Sequence, residues 1–574
     1  MKKLGMRMEY IVGVFLIFLC FLLYWLNMGN YAFLDTNETR FVSIAKDMLS
    51  HSDWINVQLN DEAFFKYPPL LFWLINLSCV AFAKINAEVV RLPISLITSF
   101  GIISMFFMLK NMLSKSYAFI ITLIFATSVG TLVFSRLATN DMLFCIFSLA
   151  AILCASKTLF SRKNKQKIII WTLVYLFIAF ATMSCGVLGF IIPTVCIYAM
   201  YILSGNMKEL FNPKHFIPGL TIFALITMPW HIIMLNKNGL VFFKEYFSTI
   251  NFIKYAGIKE TLTVIAIFLT SFVPWAFSFI WIIGSKFKDI LNSISSYFKD
   301  NSQIKLQDKW QTLKTTERFL SINTIVFFVA LVFAILYGSK HTYSVLFLLF
   351  PASCITGFYW YEYIVKKEHD KSIFFATMVP NIILIISSII GLFGHNYINT
   401  VINQSLKNLI VPLTMIFFVI PLFGIFTILL KGRKTLFASN LILMISVSLV
   451  LTPTFFNFMI ANGGEKDLIG FAQLAKKDNI KLTAFLPSKK HSITYYYDNK
   501  INFQNNNDIE WLRNYLSKNP HEYVIVEIKD LWDIEAKKIP YLLIDSGKRY
   551  CLIQHSPASL KELKNEQEPE IIIF

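Results

Sequence analysis

The chain has 574 residues, of which 56% are hydrophobic, 16% aromatic and only 15% charged. No water-soluble domain can bury that much apolar surface, so the composition excludes a soluble globular protein and describes a polytopic α-helical membrane protein. In a soluble chain a net charge of +18 would suggest nucleic acid. Here the basic residues gather in short loops between apolar runs, as the positive-inside rule requires, and no nucleic-acid partner is expected.

The N-terminus, MKKLGMRMEY, leads into about twenty apolar residues. No small-residue cleavage site follows, so the segment reads as an uncleaved first span. Runs of similar length follow near 68–85, 91–110, 117–134, 141–160, 168–184, 187–204 and 215–236. Six more lie near 261–284, 319–337, 342–362, 373–393, 409–430 and 436–459. Basic clusters fix the sides. Lys2, Lys3 and Arg7, the Lys110–Lys115 turn, 162–167, 208–214, 286–318, 366–371 and 431–434 all ask for the inner face. Three apolar runs separate the N-terminus from Lys110, yet both ends want the same side, so one run must not cross. The run 68–85 enters directly from an acidic loop through Pro68-Pro69, and is assigned to the interface. Thirteen spans remain, with the C-terminus outside. Asp35, Glu38, Lys66, Asp141, Lys254 and Lys340 then share the outer face.

The polar stretch 34–73 dominates the first outer loop, 29–90. Within it TRFVSIAKDMLS places apolar residues at 41, 44, 45, 48 and 49, the spacing of one helix face. We read a helix lying flat on the outer leaflet, capped by Thr36 or Asn37. Residues 1–460 form the transmembrane domain. From 461 the sequence turns mixed-polar to 574 and reads as a small extracytoplasmic α/β domain. Helices are expected at 465–478, 489–497 and 507–518, with strands at 481–486, 522–528, 541–545 and 549–555.

The eight cysteines show no CxxC or Cys/His ladder, so neither disulfide nor zinc is indicated. No nucleotide-binding or hydrolase motif is present. What remains is charge at a membrane surface. Asp35 and Glu38 read either as a general base, or acceptor-orienting group, or as a helix cap with solvated charge. Asp141, in SRLATNDMLF, reads as a second carboxylate of the same cleft or as the cap of its span. Lys340 and Tyr343, in GSKHTYSVLFLLFP, can neutralise a phosphate or simply anchor at the interface. Tyr246, Lys254 and Tyr255 read the same two ways. His231 and His341 read as structural.

The run DTNETRFVSIAKDMLSHSDWINVQL, followed by FFKYPPLLFWL, resembles the first outer loop of lipid-carrier-dependent glycosyltransferases of the GT-C fold. These include the lipid A aminoarabinose transferases and, more distantly, the protein O-mannosyltransferases. SRLATNDMLF is similar to a second Asp-bearing loop of that family, and MPW at 228–230, PW at 274–275 and SKHTYSVLFLLFP follow in family order. The resemblance implies a bacterial inner-membrane enzyme. Such an enzyme moves a sugar, with inversion, from a polyprenyl-phosphate carrier to a lipid, glycan or protein acceptor on the outer face. It implies Asp35, Glu38 and Asp141 as catalytic residues and Arg40, Lys66, Lys340 and Tyr343 as carrier-phosphate ligands. The chain departs from the family pattern at Asn37-Glu38, where members carry Asp-Glu, and at Cys185-Gly186, where Lys-Gly is common. Ile250-Asn251 replaces a Glu-His pair, so neither metal nor other cofactor is expected. Two alternatives stand beside this reading. A transporter or flippase of a lipid-linked intermediate places ionisable residues at mid-membrane and carries internal repeats, and neither is visible here. An inactive scaffold is motivated by Asn37.

Overall fold

The computed structural model describes residues 2–34, 38–59, 62–160, 164–248, 257–285, 310–338, 342–368, 370–393, 404–462, 464–499 and 501–556. They form two compact units. The first comprises 1–29, 52–57 and 63–453; the second comprises 30–51, 58–62 and 454–574. Each is described by itself.

The first unit is a multi-pass membrane bundle. Among the described residues, nine helices are long and apolar enough to cross a bilayer. The count is ten if Ile258–Ser271 and Ala276–Ser285, bent by 119°, form one broken span. Four shorter apolar helices accompany them: Glu9–Trp25, Leu70–Phe82, Lys115–Thr127 and Val187–Leu203. Thirteen spans therefore result only if three of those four cross as well. Leu70–Phe82 has 13 residues, about 20 Å of helix at 1.5 Å per residue, against an apolar core of about 30 Å. It starts straight after Pro68-Pro69 and stops at Ala83 in the left-handed conformation, φ 50.

Polar side chains lock the bundle at helix breaks, where backbone groups lose their own partners. The first helix ends in a π-turn over Phe21–Trp25. Two fully buried arginines reach this region. Arg136 Nε donates to the Leu23 carbonyl at 2.6 Å, and Arg91 Nη1 donates to the Met28 carbonyl at 2.7 Å. The Tyr24 hydroxyl donates to the Ala126 carbonyl at 2.7 Å, just before the break at Ser128. Beyond that break, a Cβ on Gly130 would meet Leu346, Leu349 and Ser271 at 2.9 Å each. Only glycine lets those segments meet so closely, the small-residue packing usual between membrane helices.

The second unit is an α/β domain. Its strands are β1 Leu482–Phe485, β2 Asn502–Gln504, β3 Tyr523–Glu527, β4 Tyr541–Ser546 and β5 Tyr550–His555. They lie in the order β2-β1-β3-β5-β4. β1 runs parallel to β2 and β3, and β5 is antiparallel to β3 and β4. The central strand β3 is buried throughout. Tyr523 and Ile525 join one core with Phe471 and Leu552, while Val524 and Val526 join the other with Leu512 and Ile553. This two-sided burial explains why YVIVE shows no apolar–polar alternation.

The amphipathic helix of the first loop, Glu38–Ser50, belongs to this unit. The expectation was a helix lying on lipid. Its buried face, Phe41, Val42, Ile44, Ala45 and Met48, is instead covered by protein. It packs against the helix His491–Tyr497. Lys46 lies 5.4 Å from the Tyr495 ring and pairs with Asp498, which also binds Lys476 at 2.9 Å. Burial pushes the Asp498 carboxyl up, but hydrogen bonds and charge from Lys46 and Lys476 outweigh it and hold it below the usual carboxylate range.

Candidate functional site

In the first unit, the helix Asn140–Phe160 opens with Asp141 in its first turn, where the exposed amides favour a carboxylate. Asp141 is 5% exposed. A buried carboxylate needs partners, and a segment 201 residues further along the chain supplies them. Thr342 Oγ1 donates to Asp141 Oδ1, and the Tyr343 backbone amide also faces the carboxylate. Both residues lie in the short helix Thr342–Leu346. The buried Tyr343 ring stands edge-on to Phe144, with centroids 5.4 Å apart. Its electrostatic neighbours include Tyr67, Cys185, Tyr337 and Asp141.

Tyr67 continues the wall. It is buried, whereas the preceding Lys66 is exposed, with its ammonium 5.7 Å from the Tyr67 ring. On another side, Cys185 Sγ lies 3.9 Å from the Asn140 carbonyl. Gly186 follows at φ 68, and a Cβ there would stand 3.3 Å from the Tyr246 ring. The Tyr246 hydroxyl contacts His231 Nε2 at 2.7 Å, while His231 Nδ1 contacts the Thr227 carbonyl at 2.7 Å. A carbonyl can only accept, so Nδ1 carries the proton and Nε2 accepts from the tyrosine. This fixed tautomer agrees with a structural role for His231. Phe242 stacks on Tyr246 at 5.3 Å and meets Phe65 edge-on at 5.5 Å, which ties the segment after Gly239 to the Lys66–Tyr67 loop.

The sequence candidates therefore divide. Asp141 and Tyr343 come together, and Lys66 adjoins Tyr67, itself a neighbour of Tyr343. Glu38 and Arg40 belong to the second unit. Glu38 is fully buried, and its carboxylate accepts the Leu34 amide at 3.0 Å. The Arg40 guanidinium lies 5.3 Å from the Phe41 ring. Asp35, Asn37, Lys254, Tyr255, Lys340 and His341 lie outside the described residues. Among those described, no group of three or more His, Cys, Asp or Glu side chains is placed to hold a metal ion. Tyr67 and Thr342 are not among the sequence candidates, and the pairing of Tyr246 with His231 is not foreseen there. An arginine or carboxylate in an apolar run signals itself; a tyrosine at a membrane boundary does not.

These features meet the known proteins at several points. The family model described as dolichyl-phosphate-mannose-protein mannosyltransferase matches residues 66–233. An undecaprenyl phosphate-alpha-4-amino-4-deoxy-L-arabinose arabinosyl transferase of Pectobacterium atrosepticum is 25% identical over 213 residues, 36% of this chain and 37% of that protein. The protein of the same name from Photorhabdus laumondii is 23% identical over 274 residues, 46% of this chain and 48% of its own. The chain thus matches less than half the length of these relatives. The crystal structure of ArnT from Cupriavidus metallidurans bound to undecaprenyl phosphate superimposes with a TM-score of 0.69. That superposition covers 95% of this chain and 98% of that one, at 13% identity. An oligosaccharyltransferase of Archaeoglobus fulgidus in the apo form gives 0.51 at 11% identity, covering 91% and 70%.

Fold and helices together define a multi-pass membrane protein with the GT-C type of fold seen in these structures. Within that fold the chain is similar to the aminoarabinose transferases over part of its length and, over residues 66–233, to the mannosyltransferase family model.

Proposed function

We propose that the protein is a glycosyltransferase that takes a sugar from a polyprenyl-phosphate carrier and passes it to a lipid, glycan or protein acceptor. The transfer takes place at the outer face of the inner membrane, with the second unit extracytoplasmic. The observation that carries this is the buried Asp141, fixed by Thr342 and Tyr343 beside the Tyr67–Lys66 loop. A desolvated carboxylate at a membrane boundary is costly and is retained where it acts. The relatives named for undecaprenyl phosphate, and the solved structure that binds it, supply the donor class.

Asp141 orients the acceptor or accepts its proton as the glycosidic carbon is attacked. Its carboxylate cannot swing away, because the Thr342 hydroxyl and the helix start hold it. Lys66, Tyr343 and Lys340 bind the carrier phosphate and stabilise the charge that develops as the sugar departs. Tyr67 shapes the wall behind that phosphate. The attack is a single displacement, so the anomeric configuration inverts. A donor held in the bilayer needs no nucleotide-binding loop, which fits the absence of such a motif.

The test is transfer from a radiolabelled polyprenyl-phosphate sugar to outer-membrane lipid, glycan and peptide fractions by purified protein in bilayer discs. Labelled acceptor that requires the protein supports the proposal, and Lys66→Gln should raise the KM for the carrier. In sealed liposomes, movement of carrier between leaflets with no labelled product in any fraction would make the protein a flippase instead.

A further inference from the structure

A second charged feature of the first unit lies far along the chain from the transfer residues. An open cavity of about 440 Å³ is lined by Lys367, Lys431, Arg433 and Lys434, with Ile364, Gly432 and Thr435. Two chain reversals build it. Lys367 caps the turn Glu362–Lys366 at φ 64. Lys431, at φ 55, follows the helix Gln404–Leu429, and the 30-residue helix Arg433–Asn462 begins two residues later. Glycine is the usual residue in such left-handed caps; here both carry lysine.

The charges do not cancel locally. Lys366 is paired with Glu362 at 2.7 Å. No ion pair is formed by Lys367, Lys431 or Lys434 among the described residues. Arg433 is held in place: its Nη1 donates to the Tyr363 carbonyl at 3.3 Å, and its guanidinium lies 5.2 Å from the Tyr363 ring. The first amides of the Arg433–Asn462 helix add the positive end of its dipole. Four cations therefore line one cavity, and of the two described carboxylates on the Glu362–Glu368 segment Glu362 is already engaged by Lys366. Alongside, the ends of the membrane helices present bare apolar side chains: Leu429 is 67% exposed, Leu430 66% and Val365 48%. An anionic head with apolar tails satisfies both surfaces at once.

We propose that this cavity binds the phosphodiester headgroup of an anionic membrane phospholipid, with its acyl chains along Leu429, Leu430 and Val365. By the charge rule this is the cytoplasmic face, where basic pockets between membrane helices hold anionic headgroups. The site does not depend on the transfer reaction.

The test uses the full chain, purified in detergent and washed with phosphatidylcholine, then titrated with phosphatidylglycerol under native mass spectrometry. One phosphatidylglycerol should bind in preference to phosphatidylcholine. The triple variant Lys367→Gln, Lys431→Gln, Lys434→Gln should bind it about a hundredfold more weakly, at roughly fivefold per lysine. The corresponding triple Lys→Arg variant should retain it. If the glutamine triple variant does not melt cooperatively, Lys434→Gln alone, expected at about fivefold, decides by the same criterion. Undiminished phosphatidylglycerol binding in the glutamine variants, or equal retention of phosphatidylcholine by the unaltered protein, would overturn the proposal. So would full displacement of phosphatidylglycerol by millimolar inorganic phosphate, since the ligand would then be a soluble anion.

Discussion

Replacing Thr342 by valine keeps the shape of the side chain and removes one hydroxyl. That hydroxyl donates to Asp141, whose residue is only 5% exposed, so water cannot easily take its place. Hydrogen bonds to charged groups contribute about 1.5–3 kcal/mol, and about 1.4 kcal/mol is a factor of ten in rate. If the hydroxyl holds Asp141 in its working orientation, Thr342→Val lowers kcat by roughly tenfold to a hundredfold and leaves the KM for the carrier little changed. Thr342→Ser restores most of the rate, because it restores the donor. The assay is steady-state sugar transfer in bilayer discs, with melting temperature as the control for folding. A folded Thr342→Val protein with unaltered kcat would refute the positioning argument. So would a serine variant no better than valine, since the loss would then come from packing.

Four further outcomes follow from the same geometry. Gly186→Ala should destabilise the protein by about 1–2 kcal/mol, because φ is positive and the added methyl meets the Tyr246 ring; thermal melting measures it. Arg136→Met leaves the Leu23 carbonyl without this donor and should cost about 1–3 kcal/mol of stability, with the KM for the carrier unchanged. Lys66→Gln should raise that KM and weaken its dependence on salt, whereas Lys66→Arg keeps both. Asp498 has a lowered pKa in the fold, so its contribution to stability is present above the ordinary carboxylate pKa and is lost as pH falls through the folded value. Its side chain is 42% exposed. After screening, the two lysines therefore contribute at most about 1 kcal/mol, and Asp498→Asn should remove that acid sensitivity of hydrogen exchange in 491–497.

The membrane class was legible because twenty-residue apolar runs have no other use; charge parity singled out the run after Pro68-Pro69, which forms the 13-residue helix Leu70–Phe82. The helices of the C-terminal unit stood out by periodicity, and its longer strands as short apolar or β-branched runs. β2 did not, since three residues, Asn502–Gln504, carry no pattern and are polar at both ends. The helix Leu531–Ala536 is equally short. The face of Glu38–Ser50 was legible, but its cover was not: a hydrophobic stripe looks the same against lipid as against a helix some 450 residues further along the chain. The site divides on similar lines. Asp141 announced itself as a carboxylate in an apolar run. Its partner Thr342 is 201 residues away and chemically unremarked. Tyr246 reads equally as a phosphate ligand or an interface anchor, and Tyr67 carries no signal, until the fold brings them beside His231 and Tyr343.

The most direct test is the rate of sugar transfer from a polyprenyl-phosphate donor by Asp141→Asn protein in bilayer discs, beside the unaltered chain. An orienting or proton-accepting carboxylate predicts a fall in kcat of about 10²- to 10⁴-fold in a protein that still melts cooperatively. Transfer at the unaltered rate would contradict it, because the buried carboxylate would then serve only to cap its helix.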